Sequence, residues 1–553
     1  VADVTDTARM RMFNGDRKVV DLSREFIDSA GAKHYAEAKI GEVENRNPFL
    51  REVAGETLAE RFANNLKDNN VLSQRGLIEM FDSTIGRSTV LMPFGGRTQR
   101  SETQVSVQKL PTDGYTDTAS VMAFGYNPYL ASWSPYHGAA YAVVEAAAKV
   151  VAAGARYDRM RYSYQEYFER MTKNPESWGK PLSALLGALK MQVELGLPSI
   201  GGKDSMSGTF QEIDVPPMLM AFGITTVDAR TVISTDLKGA GHRIYLVRHT
   251  PLESRMPDTA QLKENFTFVS SQIEAGKILS AWSVGFGGVG EGLAKMAFGN
   301  GIGAEVTMDE AKLYEYAYGS ILVECEGTLE YPHAELLGFT VADEALTVNG
   351  VRMPLDELYK ANTEKFAAVY PDKGRNTATV MTSAPAPKTF VYPGEAVEHP
   401  LVYIPVFPGT NCDYDTAKAF RKAGAEVEMS VLCNIGGDDI LRSIAEMKEH
   451  IRRAHIFVLS GGFSSGDEPD GSAKFIVNVL NNKDIREEIH ALIDRGGLIL
   501  GICNGFQALV KSGLLPYGRL GMVTKDSPTL FRNDINRHIS QIVSTRVSTL
   551  HSP

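Results

Sequence analysis

The segment Leu500-Gly501-Ile502-Cys503-Asn504-Gly505-Phe506-Gln507 turns from an apolar run through small residues straight into a helical pattern. A thiol at such a strand-to-helix turn sits where the partial positive charge of a helix N-terminus favours a thiolate nucleophile. An isolated cysteine at a strand end is as often a packing residue, so its neighbours decide. Two more glycine turns follow apolar runs, Leu459-Ser460-Gly461-Gly462-Phe463-Ser464-Ser465-Gly466-Asp467 and Phe407-Pro408-Gly409-Thr410-Asn411-Cys412-Asp413. All three are expected along the carboxyl edge of one sheet, where doubly wound folds bind ligands. A separate stretch, Ile200-Gly201-Gly202-Lys203-Asp204-Ser205-Met206-Ser207-Gly208, gathers backbone N–H groups, serine hydroxyls, a lysine and an acid. That set suits a phosphate or a metal-bridged phosphate, although a glycine turn taken alone is weak evidence.

The elements that must position these groups are readable from periodicity. Strand and helix alternate over Leu401–Phe407, Asp415–Ala423, Glu426–Val431, Ile456–Leu459, Ala473–Leu480, Ile485–Asp494 and Leu498–Ile502, a rhythm that predicts a parallel, doubly wound sheet. Upstream, strands are expected at Ser88–Met92, Gln104–Val107, Arg243–Val247 and Gly319–Val323, with helices beginning near Tyr136 and over Glu291–Ala297. Residues 1–80 read as charged helical stretches, Ser23–Ala30 and Thr57–Lys67, between polar turns. The run Ser383-Ala384-Pro385-Ala386-Pro387-Lys388 reads as a linker.

A chain of 553 residues calls for about three to four domains. With 43% hydrophobic and 22% charged residues it is neither disordered nor fibrous, and 57 Lys+Arg against 67 Asp+Glu leaves no electrostatic footprint for nucleic acid. Four cysteines without CxxC spacing argue against disulfides and zinc and for a reduced, cytoplasmic setting. The run Ala139–Ala155, interrupted by Glu145 and Lys149, is too short to span a membrane. The chain begins Val-Ala-Asp-Val, without an initiating Met or a targeting segment, so it is expected to start within something longer.

On these motifs the chain resembles the phosphoribosylformylglycinamidine synthase family, with its class I glutamine amidotransferase domain. The resemblance implies an α/β and α+β multidomain fold, in which aminoimidazole ribonucleotide synthetase-like N- and C-type domains precede a doubly wound, flavodoxin-like amidotransferase domain. It implies a tail and connector over 1–80, an A-type domain over 81–215, a B-type domain over 216–380, a linker over 381–400 and the amidotransferase over 401–553. Cys503 would attack glutamine, while Gly461, Gly462 and Asn504 would form the oxyanion hole. Gly202, Lys203, Asp204 and Ser205 would bind substrate phosphate, with Lys203 and Asp204 near nucleotide and metal. The complete enzyme would use glutamine, ATP with magnesium, and formylglycinamide ribonucleotide.

Departures from the family pattern shape further expectations. The family completes its catalytic triad with a His-x-Glu pair after the nucleophile, but no Glu follows Cys503, and neither His538 nor His551 precedes an acid by two residues. The amidotransferase is therefore expected to be incomplete at its C-terminus and the isolated chain inactive. It resembles the second synthetase copy only, so the missing N-terminal half is an expected partner and its exposed pairing surface would favour homodimers. At a second nucleotide site only Glu145 survives as a metal ligand; Lys149 and Lys109 stand where the family has Asn and Asp, and Trp282-Ser283 where it has His-Asp. No tightly bound nucleotide or magnesium is expected there. The alternative is a non-catalytic binding or assembly protein built on the same folds.

Overall fold

The computed structural model describes residues 2–29, 35–82, 88–372, 374, 396–466 and 473–543. Asp467, His551, Gly86 and the expected Pro/Ala linker lie outside the described residues. The chain divides into two units, Val1–Tyr370 and Pro371–Pro553.

The first unit is organised around two sheets. A five-stranded sheet runs in the order Ser106–Lys109, Thr118–Gly125, Met218–Asp228, Arg161–Tyr167 and Ser199–Lys203, antiparallel except for its last pair. Helix Pro135–Ala152 is buried along almost its whole length against this sheet and against helix Pro175–Leu195. Its alanines, valines and one glycine allow that approach. At Gly125 of the facing strand an added Cβ would stand 2.1 Å from the Ala142 carbonyl oxygen. Helix Pro175–Leu195 carries conventional end signals, Asn174 as N-cap, Pro175 in the first turn and a left-handed Gly196 after the last. Pro181 inside it makes the sequence read as broken.

The seven-stranded sheet follows the order Ile278–Ser283, Ile321–Cys325, Arg243–Val247, Ala334–Val341, Gly303–Val306, Ala345–Val348 and Val351–Pro354. Helix Gly288–Phe298 packs on it through Val289, Leu293 and Ala297.

Three expectations are corrected here. The division at 215/216 falls before Met218–Asp228, yet that strand is the centre of the five-stranded sheet, so the sheet runs on to Asp228. Residues 1–80 are not all connector: Arg9–Asn14 and Arg17–Ser23 pair as a hairpin, and helix Leu58–Leu66 sends Phe62 and Leu66 into the core of the seven-stranded sheet. Ser88–Met92 makes only an isolated bridge, Thr89 to Gln108, and is no strand.

In the second unit four parallel strands run in the order Glu426–Val431, Leu401–Val406, Ile456–Leu459 and Leu498–Gly501. This crossover order is that of a flavodoxin-like sheet. Alternation along Leu401–Val406 covers both faces. Val402 and Ile404 pack with Ala417 of helix Asp413–Lys422, while Tyr403 packs with Met447 and Ile451 of helix Gly437–Arg453. Helix Gly437–Arg453 is not marked in the sequence, because its acidic and basic residues outnumber the buried Ser443, Met447 and Ile451.

Candidate functional site

Cys503 stands between strand Leu498–Gly501 and helix Asn504–Ser512 with φ 51° and ψ −107°, a strained conformation for a residue with a Cβ. Two glycines make the turn feasible. A Cβ at Gly501 would meet the Gly505 carbonyl carbon at 2.7 Å, and one at Gly505 would meet the Leu459 carbonyl oxygen at 2.0 Å. The helix therefore starts directly over the end of the neighbouring strand, and the thiol is presented to solvent at its first turn. The first N–H groups of a helix lack intrahelical acceptors; here Gly505 N–H donates to the Ile502 carbonyl at 2.9 Å.

The other two glycine turns close around it. Thr410 and Gly462 form an antiparallel bridge, and Phe463 N–H donates to the Gly409 carbonyl at 2.9 Å. Gly461 lies between two thiols: its missing Cβ would stand 3.6 Å from the Cβ of Cys412 and 3.6 Å from the Cβ of Cys503. Buried Asn504 accepts a bond from Ser464 N–H at 3.4 Å and donates to Gln507 at 3.2 Å. The structure thus gathers Cys503, Asn504, Gly461 and Gly462 at one sheet edge. It adds Cys412, to which the sequence alone assigns no role. His538 is exposed, and among the described residues no histidine hydrogen-bonds to the Cys503 thiol.

In the first unit, the segment read as a glycine turn is an edge strand as far as Lys203, running parallel to Arg161–Tyr167. A Cβ at Gly202 would come within 2.6 Å of the Tyr164 carbonyl, so glycine there serves strand packing. The chain turns at Asp204. Ser205 N–H donates to the Glu166 carbonyl at 3.1 Å, and its hydroxyl bonds to that of Ser207 at 2.9 Å. Gly202, Lys203 and Asp204 are exposed and Ser205 is half-buried. Beside them is a residue that periodicity did not mark, Glu166. Burial, and then the charge of Asp204, push its carboxyl up to about 7, and its Oε1 is buried without a hydrogen-bond partner.

Residues 399–553 match the model of the CobB/CobQ-like glutamine amidotransferase domain. The chain is 27% identical over 328 residues to phosphoribosylformylglycinamidine synthase subunit PurL of Thermoplasma acidophilum, covering 55% of this chain and 41% of that protein. It is 41% identical over 109 residues to subunit PurQ of Dehalococcoides mccartyi, covering 20% of this chain and 38% of that one. The chain thus joins a segment similar to PurL to one that matches a glutamine amidotransferase domain. It spans about two-fifths of the length of each of these curated relatives. Among solved structures, Thermotoga maritima PurL complexed with ATP aligns with a TM-score of 0.42 at 18% identity, over 60% of this chain and 48% of that one.

Within the first unit, Glu145 is held by internal partners. Its Oε1 lies 2.8 Å from the Lys149 ammonium and its Oε2 accepts from Tyr126 N–H at 2.9 Å. Lys149 also donates to the Phe124 carbonyl at 2.9 Å. A second Glu-x-x-x-Lys pair sits on helix Gly288–Phe298, with Lys295 at 2.9 Å from Glu291 and 2.7 Å from Glu102. Burial opposes charge on Lys295, yet Glu102 and Glu291 outweigh it and hold the ammonium above the ordinary lysine range. Gly285 lies between the pairs, its missing Cβ 3.8 Å from both Glu145 Oε1 and Glu291 Oε2. The repeated i,i+4 spacing at 145/149 and 291/295 was the available sequence signal for this network. Lys109 is elsewhere, with its ammonium on Tyr115 and Asp117. Among the described residues no group of three or more His, Cys, Asp or Glu side chains is placed to hold a metal ion, and no helix is long and apolar enough to cross a membrane.

Proposed function

We propose that this chain is part of a formylglycinamidine ribonucleotide synthase, contributing a synthetase half and a glutaminase to the ATP- and glutamine-dependent amidation of formylglycinamide ribonucleotide in purine synthesis. The observation that carries this reading is the Cys503 elbow, an exposed thiol at the start of a helix beside the Gly461-Gly462 turn. Cys503 Sγ attacks the carboxamide carbon of glutamine, and the oxyanion that forms is met by N–H groups at Asn504 and the Gly461-Gly462 turn. Collapse breaks the C–N bond and releases ammonia, leaving a γ-glutamyl thioester for water to hydrolyse. Ammonia then attacks the glycinamide carbonyl carbon of the ribonucleotide, whose oxygen, activated by phosphoryl transfer from ATP, leaves as phosphate with ADP as the other product.

On the synthetase side Ser205 binds substrate phosphate, with Gly202, Lys203 and Asp204 beside the nucleotide. ATP and magnesium belong to the cleft completed by the other synthetase half, which this reading makes the partner. The residues around Glu145 do not fit a magnesium–nucleotide, since both of its oxygens already have internal donors.

The test is labelling of the full chain with a diazoketone analogue of glutamine, read by peptide mass. One adduct at Cys503, suppressed by excess glutamine and absent from Cys503→Ser, is expected. Adducts spread over Cys412 and Cys433 and indifferent to glutamine would overturn the reading.

A further inference from the structure

We propose that Cys412 and Cys503 are a redox pair, which hydrogen peroxide converts to a disulfide that closes the amidotransferase site. Both thiols are exposed, whereas Cys325 is buried and Cys433 half-buried. They come from different turns, one after strand Leu401–Val406 and one after Leu498–Gly501, and they converge over a residue that has no side chain. Because each Cβ lies 3.6 Å from the point a Gly461 Cβ would occupy, the two are at most about 7 Å apart. A disulfide needs a Cβ···Cβ separation of about 3.5–4.5 Å, so a closing shift of no more than ~3 Å suffices. The Cys412 turn can supply it, since its N–H groups at Asn411 and Cys412 reach the Gly461 carbonyl only at 3.5 and 3.4 Å. Any side chain at position 461 would stand in the path, 3.3 Å from the Cys412 sulfur.

The chemistry balances with one equivalent of peroxide. The Cys503 sulfur attacks a peroxide oxygen, the O–O bond breaks, and the departing hydroxide takes a proton to become water, leaving Cys503 sulfenic acid. Cys412, its proton passed to solvent, then attacks the Cys503 sulfur. The S–O bond breaks, hydroxide leaves as water after protonation, and the S–S bond forms. Two thiols lose two electrons in total and one peroxide becomes two waters. Burial, then the charges of Asp415, Cys503 and Asp413, push the Cys412 thiol up, which suits it to the second step rather than the first.

The experiment exposes the reduced full chain to equimolar hydrogen peroxide, followed by alkylation and intact and peptide mass measurement. The expected result is loss of two hydrogens, a cross-linked peptide pair containing residues 412 and 503, and reversal by dithiothreitol. In Cys412→Ser the cross-link should vanish and Cys503 should stop as the sulfenic acid, trapped by dimedone. Wild type that forms no cross-link while Cys503 gains oxygen at the rate seen in Cys412→Ser would overturn the proposal. The readout is thiol chemistry, so a Cys503 that glutamine fails to protect from the diazoketone would undermine the glutaminase reading and leave this one standing.

Discussion

Replacing Lys149 with methionine should destabilise the first unit by about 3–5 kcal/mol, the cost of breaking a buried ion pair from one side. The side chains of Lys149 and Glu145 are only 10% and 8% exposed and 2.8 Å apart. At an effective dielectric constant of ~20 their attraction is roughly 6 kcal/mol, and the desolvation of both ions cancels much of it. The variant loses that attraction while keeping the buried carboxylate, which retains only Tyr126 N–H, and it leaves the Phe124 carbonyl without its ammonium donor. Glu145→Gln combined with Lys149→Met removes both charges and should cost only about 1–2 kcal/mol; with Glu145→Gln alone completing the cycle, and itself destabilising, the coupling is at least ~2 kcal/mol. Urea unfolding followed by tryptophan fluorescence is the assay. All three tryptophans, Trp133, Trp178 and Trp282, lie in the first unit, so the signal reports that unit alone. A Lys149→Met cost under ~1 kcal/mol, with coupling under ~0.5 kcal/mol, would refute the reasoning. It would mean that Glu145 is not committed to an internal partner and remains open to a cation.

Buried His249 accepts from Asp258 N–H at Nε2 (3.0 Å) and donates from Nδ1 to the Tyr318 carbonyl (2.9 Å), an arrangement that only the neutral ring satisfies. Burial depresses its pKa from 6.5 to about 4. Its folded value is the lower one, so its contribution is full above the unfolded value and is lost as pH falls toward the folded one. The stability difference between wild type and His249→Gln should shrink by about 2–3 kcal/mol between about pH 7.5 and 4.5; a pH-independent difference would contradict this. Gly505→Ala, which drives a methyl into the Leu459 carbonyl, should cost ~2–4 kcal/mol and abolish diazoketone labelling of Cys503. Gly437→Ala, with open space at its Cβ, should be neutral in the same labelling and in urea unfolding followed by far-ultraviolet circular dichroism, which registers the tryptophan-free second unit.

Much of the amidotransferase domain was legible because its signals are local. Each parallel strand is a short apolar run ended by a turn, and Cys503 is marked by the glycines on either side of it. The first unit was harder. Helix Pro175–Leu195 was hidden by an internal proline, and strand Met218–Asp228 was assigned across a boundary because its partners at 118–125 and 161–167 are far away in sequence. Strand pairing depends on backbone groups that every sequence carries alike, so composition along one strand says little about which neighbour it joins.

The sequence by itself determined the types of group available: a cysteine at a strand-to-helix turn, glycines where a Cβ would collide, and a Glu-x-x-x-Lys spacing that sets two charges on one helix face. Only the tertiary structure decided which groups meet. It set Cys412 beside Cys503 across Gly461, left the Glu166 carboxyl buried next to Asp204, and gave both oxygens of Glu145 to partners inside the fold. Spacing along the chain constrains neighbours within a helix turn or a hairpin. Contacts between residues 412 and 503, or 166 and 204, depend instead on how strands order themselves in a sheet, and that order is settled by packing many side chains at once.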